Sequence, residues 1–283
     1  MTSQSPAALI LGGSGRTGSL VAKHLADRGA RARTASRHGS DVLFDCDDPG
    51  TYPEALDEAD RVYLVTPVMR VRYADQVVAF LDQAEAAGVR YVTLLSVYNG
   101  DRAPREVDIA AVETELASRA ALTHSILRPA WVMQNFYDDH LPIVNGTLNV
   151  PSGGGAEAFV DAADIAAVAA ETLLDPMAPA DAEYTLTGPQ AMTFDNVAAA
   201  IAAVSGQPVT YQDIGPATWI NAAVAAGVPA DYTPVLRWLT SAIIAGNGST
   251  PTSDIEAILG RPATSFEEFA KRNASAWPTW EHK

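Results

Sequence analysis

The chain has 283 residues, 48% of them hydrophobic, which suits one large domain or a domain with an appended lobe and a core that closes without staples. A net charge of −15, with lysine only at Lys23, Lys271 and Lys283, repels phosphate backbones and excludes nucleic acid as an expected partner. The single cysteine, Cys46, excludes an intramolecular disulfide, and no cysteine-histidine grouping has zinc spacing, so no metal is expected.

In chain order, short apolar runs alternate with amphipathic segments from Ala7 to about Ala130, the rhythm of parallel strands joined by crossover helices. Strands are expected at Ala7–Leu11, Ala30–Ser36, Val42–Phe44, Arg61–Val65, Tyr91–Ser96 and Thr123–Arg128, with helices beginning near Thr17, Pro53, Tyr73 and Glu106. The fold class is therefore α/β, a Rossmann-type doubly wound parallel sheet with a smaller helix-rich C-terminal lobe. Beyond Pro129 the rhythm loosens. Trp131–Leu141 reads as a short helix, Thr147–Val150 and Ala158–Val160 as short strands, and Asp161 with Asp164 as the capping and acidic first turn of a helix through Leu174. Tyr184–Leu186, a helix opening at Thr193–Phe194, a strand near Val209–Gln212 and helices around Pro216–Ala226 and Tyr232–Ala245 follow. Residues 1–130 are expected to form the nucleotide-binding core and 131–283 mainly a substrate-binding lobe, with some segments returning to the core. Met1–Pro6 lacks the marks of a signal peptide, and no segment reaches the roughly 18 uninterrupted apolar residues of a membrane span. A protein of a reducing cytoplasm, with no membrane partner, is expected.

The strongest chemical signal follows the first strand at once: Gly12-Gly13-Ser14-Gly15-Arg16-Thr17-Gly18, running into an amphipathic helix. Glycines there let main-chain amides approach a pyrophosphate at the positive end of the helix, so a dinucleotide is the expected ligand. Two registers fit, Gly12/Gly15/Gly18 and Gly13/Gly15/Gly18. NAD sites carry a carboxylate about 20 residues on for the ribose hydroxyl. Here the second strand ends Thr34-Ala35-Ser36-Arg37-His38, with no carboxylate until Asp41. Arg37 can instead neutralise a 2′-phosphate, with Arg16 closing from the loop, so the cofactor is expected to be NADP(H). Ser14 and Ser36 belong to the same phosphate-binding set. Asp45 lies where such folds hold the adenine, and Cys46 beside it is read as packing rather than redox chemistry. Thr66, Pro67, Ser96 and Tyr98 end the fourth and fifth strands and are the next candidates for contact.

Taken together, these residues resemble the NmrA-like branch of the atypical short-chain dehydrogenase/reductases, from Leu9 to Trp277. The resemblance is carried by Leu9–Gly18, by Tyr91–Ser96, by Ser125–Phe136, by Phe159–Ala166 and Tyr184–Pro189, and by Thr264–Ala270 with Asn273 and Trp277. The last block most resembles the festuclavine and agroclavine dehydrogenases, with triphenylmethane and NADPH:quinone reductases more distant. The resemblance favours the Gly12/Gly15/Gly18 register. It implies a small-molecule organic substrate in a cleft between core and lobe, with Thr66, Pro67 and Ser96 bordering the nicotinamide and Trp131, Met133, Asn135 and Phe136 facing the substrate. Arg128 and Pro129 would shape the turn between lobes.

Typical members of the wider superfamily use a tyrosine activated by a lysine four residues later, and no tyrosine here has one. Asp108–Leu116, where another branch carries a catalytic lysine, has none either, and Ala110 or Ala111 stands where several quinone-reductase-like relatives carry a histidine. Hydride transfer then suits an acceptor that is already electrophilic, such as an iminium, a quinone-like compound or a cationic aromatic. Tyr98 is the best remaining proton donor. An NADP(H)-binding redox sensor or regulator without turnover, and a cofactor-retaining isomerase or cyclase, are the alternative readings.

Overall fold

The run Ala8-Leu9-Ile10-Leu11 has no polar face to offer solvent, and all four residues are buried at the centre of the sheet in the computed structural model. Residues 7–138, 140–174 and 181–277 are described; Met1–Pro6, expected to hold no signal peptide, lie outside them. The first part of the chain runs β1 (Ala7–Leu11), α1 (Arg16–Asp27), β2 (Arg31–Ser36), β3 (Val42–Leu43), α2 (Tyr52–Leu56), β4 (Ala59–Val65), α3 (Ala74–Ala87), β5 (Tyr91–Leu95), α4 (Ile109–Ala117) and β6 (Thr123–Pro129). It continues through β7 (Ile143–Val144), β8 (Thr147–Asn149), β9 (Ala156–Glu157), α5 (Ala162–Leu174), β10 (Ala182–Leu186), β11 (Met192–Thr193), α6 (Phe194–Ser205) and β12 (Thr210–Gln212). It closes with α7 (Pro216–Ala225), α8 (Thr233–Ile244), α9 (Asp254–Leu259) and α10 (Phe266–Arg272).

The main sheet has the order β10-β6-β5-β4-β1-β2-β3, and the pairs from β3 to β6 are parallel. Strands are added in one direction from β1 to β3 and in the other from β4 onward. The crevice of such a sheet therefore opens at the carboxyl ends of β1 and β4. The apolar stripe expected on α3 is present, with Val77, Phe80, Leu81 and Ala84 all buried, and Gly88 at φ +95° ends the helix in the left-handed conformation. Phe80 meets Phe44 and Tyr52 edge-on, which anchors the segment after β3 to the core.

The chain divides into two compact units, Met1–Pro129 with Ala163–Thr185, and Ala130–Ala162 with Leu186–Lys283. The second unit holds a three-stranded sheet, β12-β8-β7, and the antiparallel pair β9–β11. Its core is aromatic: Phe136 packs edge-on with Phe159, Phe194 and Phe266 at centroid distances of 5.1, 6.2 and 5.6 Å. Helix α10 starts with a full capping box, Ser265 with Glu268.

Two expected elements differ. Trp131–Leu141 is no helix: only Met133–Phe136 makes a 3-10 turn, because the Met133 N–H donates to the Val160 carbonyl and Val132 bridges Val160 in place of an i−4 partner. Ala158–Val160 is not a strand either. The ladder with β11 stops at Glu157, the Ala158 N–H goes to Gly248 and Val160 to the Trp131 carbonyl, so successive residues pair with different segments. Among the described residues no helix is long and apolar enough to cross a membrane.

Candidate nucleotide and hydride site

The glycine loop is built around one carbonyl. Gly12 takes φ +65°, and a side chain there would lie 2.8 Å from Val65. The Gly15 N–H donates to the Gly12 oxygen at 2.8 Å, and a Cβ on Gly18 would fall 2.3 Å from that same oxygen. Gly12, Gly15 and Gly18 thus form one packed unit. Gly13 has a separate role, since a Cβ there would sit 2.4 Å from Thr34 Cβ on the adjacent strand. Gly15 is the extended N-cap of α1, so the positive end of the helix opens onto the loop. Buried Tyr63 on β4 donates its hydroxyl to Thr17 Oγ1 at 3.0 Å and fixes the first turn of α1. A cradle with main-chain donors and no room for side chains fits a diphosphate.

Ser14 ties this loop to the end of β2 through its hydroxyl, 3.0 Å from Ser36 Oγ. Ser36 in turn donates to the His38 carbonyl at 2.5 Å and shares a 2.8 Å hydrogen bond with Ser40. Arg37, between them, is exposed and makes no hydrogen bond or ion pair among the described residues. Arg16 is exposed on the loop side. Asp41 is engaged elsewhere: its carboxylate accepts from the Thr34 N–H at 2.8 Å and the Thr34 hydroxyl at 2.7 Å. These bonds, the backbone one first, hold its carboxyl below the usual range.

Asp45 is a turn former, accepting the Asp47 N–H at 3.0 Å, while its own N–H donates to the Thr51 hydroxyl. Cys46 is half-buried against the core, and burial pushes its thiol up to about 11, which suits packing and not thiolate chemistry. Arg70, beyond β4, forks onto Asp47 with two 2.8 Å bonds and clips the loops after β3 and β4 together. Thr66 and Pro67 leave β4 half-buried at the switch point.

At the end of β5 the structure departs from expectation. Ser96, expected to border the nicotinamide, is buried with its hydroxyl donated to Glu113 of α4, so it lies beneath the edge instead of on it. Arg128 is also drawn inward: it bonds Glu113 through Nη2 at 2.6 Å and Nε at 3.1 Å, and Glu183 through Nη1 at 2.6 Å, instead of simply shaping a turn. Burial opposes the Arg128 charge, yet the bonds to Glu113 and Glu183 outweigh it and raise its pKa. Glu113 escaped attention in the sequence, although Ile109, Val112, Glu113 and Leu116 fall at i, i+3, i+4 and i+7 and so place it on the buried stripe. Tyr98 is half-buried, and its N–H donates to the Pro129 carbonyl at 2.9 Å.

In the second unit, Met133 and Phe136, expected to face the substrate, are each 1% exposed in the aromatic core and are corrected to packing residues. Trp131 and Asn135 remain half-buried. Gln134 between them bridges the unit internally, donating to Asp161 at 2.8 Å and accepting the Ala162 N–H at 3.1 Å.

A profile of the NmrA-like family matches residues 5–237. The NAD(P)H azoreductase of Xenophilus azovorans is 30% identical over 287 residues, covering 95% of this chain and 98% of that one. Agroclavine dehydrogenase of Claviceps fusiformis is 26% identical over 289 residues, covering 95% and 98%. Among solved structures, the NADPH-dependent quinone oxidoreductase of Escherichia coli in complex with NADPH superposes with a TM-score of 0.80 at 22% identity, over 94% of this chain and 99% of that one, which shows a shared fold.

Proposed function

This chain belongs to the NmrA-like family as an NAD(P)H-dependent oxidoreductase, and from that premise we propose an NADPH-preferring reductase that hands hydride directly to an already electrophilic acceptor. The acceptor class is an iminium, a quinone-like compound or a cationic aromatic. One observation carries the cofactor preference: at the end of β2 the guanidinium of Arg37 is exposed and unpaired among the described residues, while the nearby carboxylate of Asp41 holds two Thr34 hydrogen bonds through Oδ2. An exposed guanidinium beside the glycine loop suits a 2′-phosphate, and a carboxylate whose Oδ2 is tied to its own strand has to give up those bonds to turn both oxygens to a ribose hydroxyl.

When bound, the nicotinamide supplies the hydride. The chain's own part is positional. Gly12, Gly15, Arg16, Thr17 and Gly18 hold the diphosphate, with Ser14 and Ser36 joining loop to strand. Asp45 and Cys46 flank the adenine, and Thr66 and Pro67 border the nicotinamide. Tyr98 donates a proton where the acceptor needs one. Trp131 and Asn135 are the substrate contacts retained from the second unit.

Titration calorimetry with both nucleotides tests the cofactor assignment: Arg37→Asp is expected to weaken NADPH about 10- to 100-fold and to leave NADH nearly unchanged. Equal losses for both would remove it. Steady NADPH oxidation with a panel of iminium salts, quinones, azo compounds and cationic dyes tests the reductase. Tight nucleotide binding with no turnover on any of them would make the protein a sensor.

A further inference from the structure

Glu113 and Ser96 are 4% and 3% exposed, and the carboxylate between α4, β5 and β6 has no freedom left. Oε1 accepts the Ser96 hydroxyl and Arg128 Nε at 3.1 Å; Oε2 accepts Arg128 Nη2 at 2.6 Å. Glu183 and, at 3.9 Å, Asp101 also face the guanidinium. A buried ion pair of this kind is a weak source of stability, since desolvation offsets most of the attraction, but it holds its partners in one geometry.

That geometry is passed to a single loop. The Ser96 N–H donates to Leu127, the Tyr98 N–H to Pro129, the Gly100 N–H to Val97 and the Arg102 N–H to Asn99, all within 2.8 to 2.9 Å. Asn99 takes φ +55° to make the turn. Gly100 then comes down directly on the buried pair: a Cβ there would lie 2.5 Å from Ser96 Oγ and 2.6 Å from Glu113 Oε1. The loop therefore rests on Glu113 at two points, Ser96 and Gly100, with Tyr98 midway between them.

We propose that Glu113 is a positioning residue, which through Ser96 and Gly100 fixes the loop that presents Tyr98 to the acceptor. This rests on the reading of Tyr98 as proton donor. In that step two electrons leave NADPH as hydride, the Tyr98 phenolic proton passes to the acceptor oxygen that gains the electron pair, and the phenolate is reprotonated from water. A quinone needs that proton. An iminium, whose carbon takes the hydride and whose nitrogen simply loses its charge, does not.

The difference gives the test. NADPH turnover is measured with a benzoquinone and with an iminium salt for Tyr98→Phe, Glu113→Gln, Gly100→Ala and the combinations with Tyr98→Phe. Expected is a loss of about tenfold in kcat on the quinone for each single variant, unchanged KM for NADPH, unchanged iminium reduction, and no further loss in the combinations. Ser96→Ala adds no bulk and carries the same test if Gly100→Ala does not fold. Full quinone turnover in Tyr98→Phe would remove the donor and, with it, Glu113's role. A loss in Tyr98→Phe that adds to those of Glu113→Gln or Ser96→Ala, or an equal loss on the iminium, would remove the positioning role alone and leave the donor standing.

Discussion

At the glycine loop of the first unit backbone packs closely on its neighbours, and Gly12 and Gly18 leave no room for side chains. Around Phe136 in the second unit the opposite holds: Phe159, Phe194 and Phe266 fill the space with rings, and Tyr137 stacks on Phe269 at 5.8 Å. Both regions stand out in the sequence, one by glycine spacing and the other by aromatic density. The contrast separates two physical causes of a conspicuous residue. A glycine whose Cβ would collide with a strand or a carbonyl marks backbone brought close to backbone. Aromatic rings whose nearest neighbours are other rings mark a core, which is non-directional and tells little about chemistry.

The largest expected effect tests the aromatic half of this contrast. Phe136→Ala removes a fully buried ring touching three others and should lower stability by about 3–5 kcal/mol, read as a shift in the urea midpoint. NADPH affinity of the folded fraction should stay as it was. If stability held and the KM for the acceptor rose instead, Phe136 would return to the substrate and the contrast would break.

Glu157 is the exception within the second unit, a carboxyl 3% exposed that makes no hydrogen bond or ion pair among the described residues. Gly248 makes room for it, since a Cβ there would fall 1.7 Å from Oε2. Burial pushes the Glu157 carboxyl from its ordinary 4.5 up to about 7. The folded state thus holds the proton more tightly than the unfolded chain. Its contribution is complete below pH 4.5 and is lost as the pH rises through about 7. Relative to Glu157→Gln, which stays neutral, the natural chain should lose about 3 kcal/mol between pH 4.5 and 8, measured by denaturation at both ends. A pH-independent difference would show that the carboxyl finds a partner.

The sheet was legible because its central strands are buried on both faces: Leu9–Leu11 and Val62–Leu64 read as continuous apolar runs, Val92–Leu94 is broken only by Thr93, and each lies in a strand. The glycine loop was legible for a related reason, that steric exclusion leaves only one residue type. What escaped depends on partners distant in sequence. Trp131–Leu141 reads as a short helix, but Val160, Asp161 and Ala162 pair with Val132, Met133 and Gln134 and prevent one. Ser96 ends its strand as a site residue would, yet Glu113, 17 positions on, turns its hydroxyl inward. Periodicity places Glu113 and Glu157 in apolar company without saying that one meets Arg128 and the other a glycine.

The smallest effect probes the nucleotide edge itself. Asp41 staples the loop after β2 back onto its own strand, its N–H donating to Thr34 Oγ1 at 3.0 Å while its carboxylate accepts from Thr34 N–H and hydroxyl. The staple is exposed, so Asp41→Ala should cost only about 0.5–1 kcal/mol once solvent screening is counted. Because these bonds lower the carboxyl's pKa, that contribution is present at neutral pH and vanishes as the pH falls through the folded value, where variant and natural chain should converge. Nucleotide preference should not change. If Asp41→Ala abolished NADH binding and spared NADPH, the carboxylate would be a ribose ligand after all, and the edge would read its nucleotide with an acid as well as with Arg37. An unchanged ratio leaves discrimination to the guanidinium, held beside the glycine loop by Ser14 and Ser36.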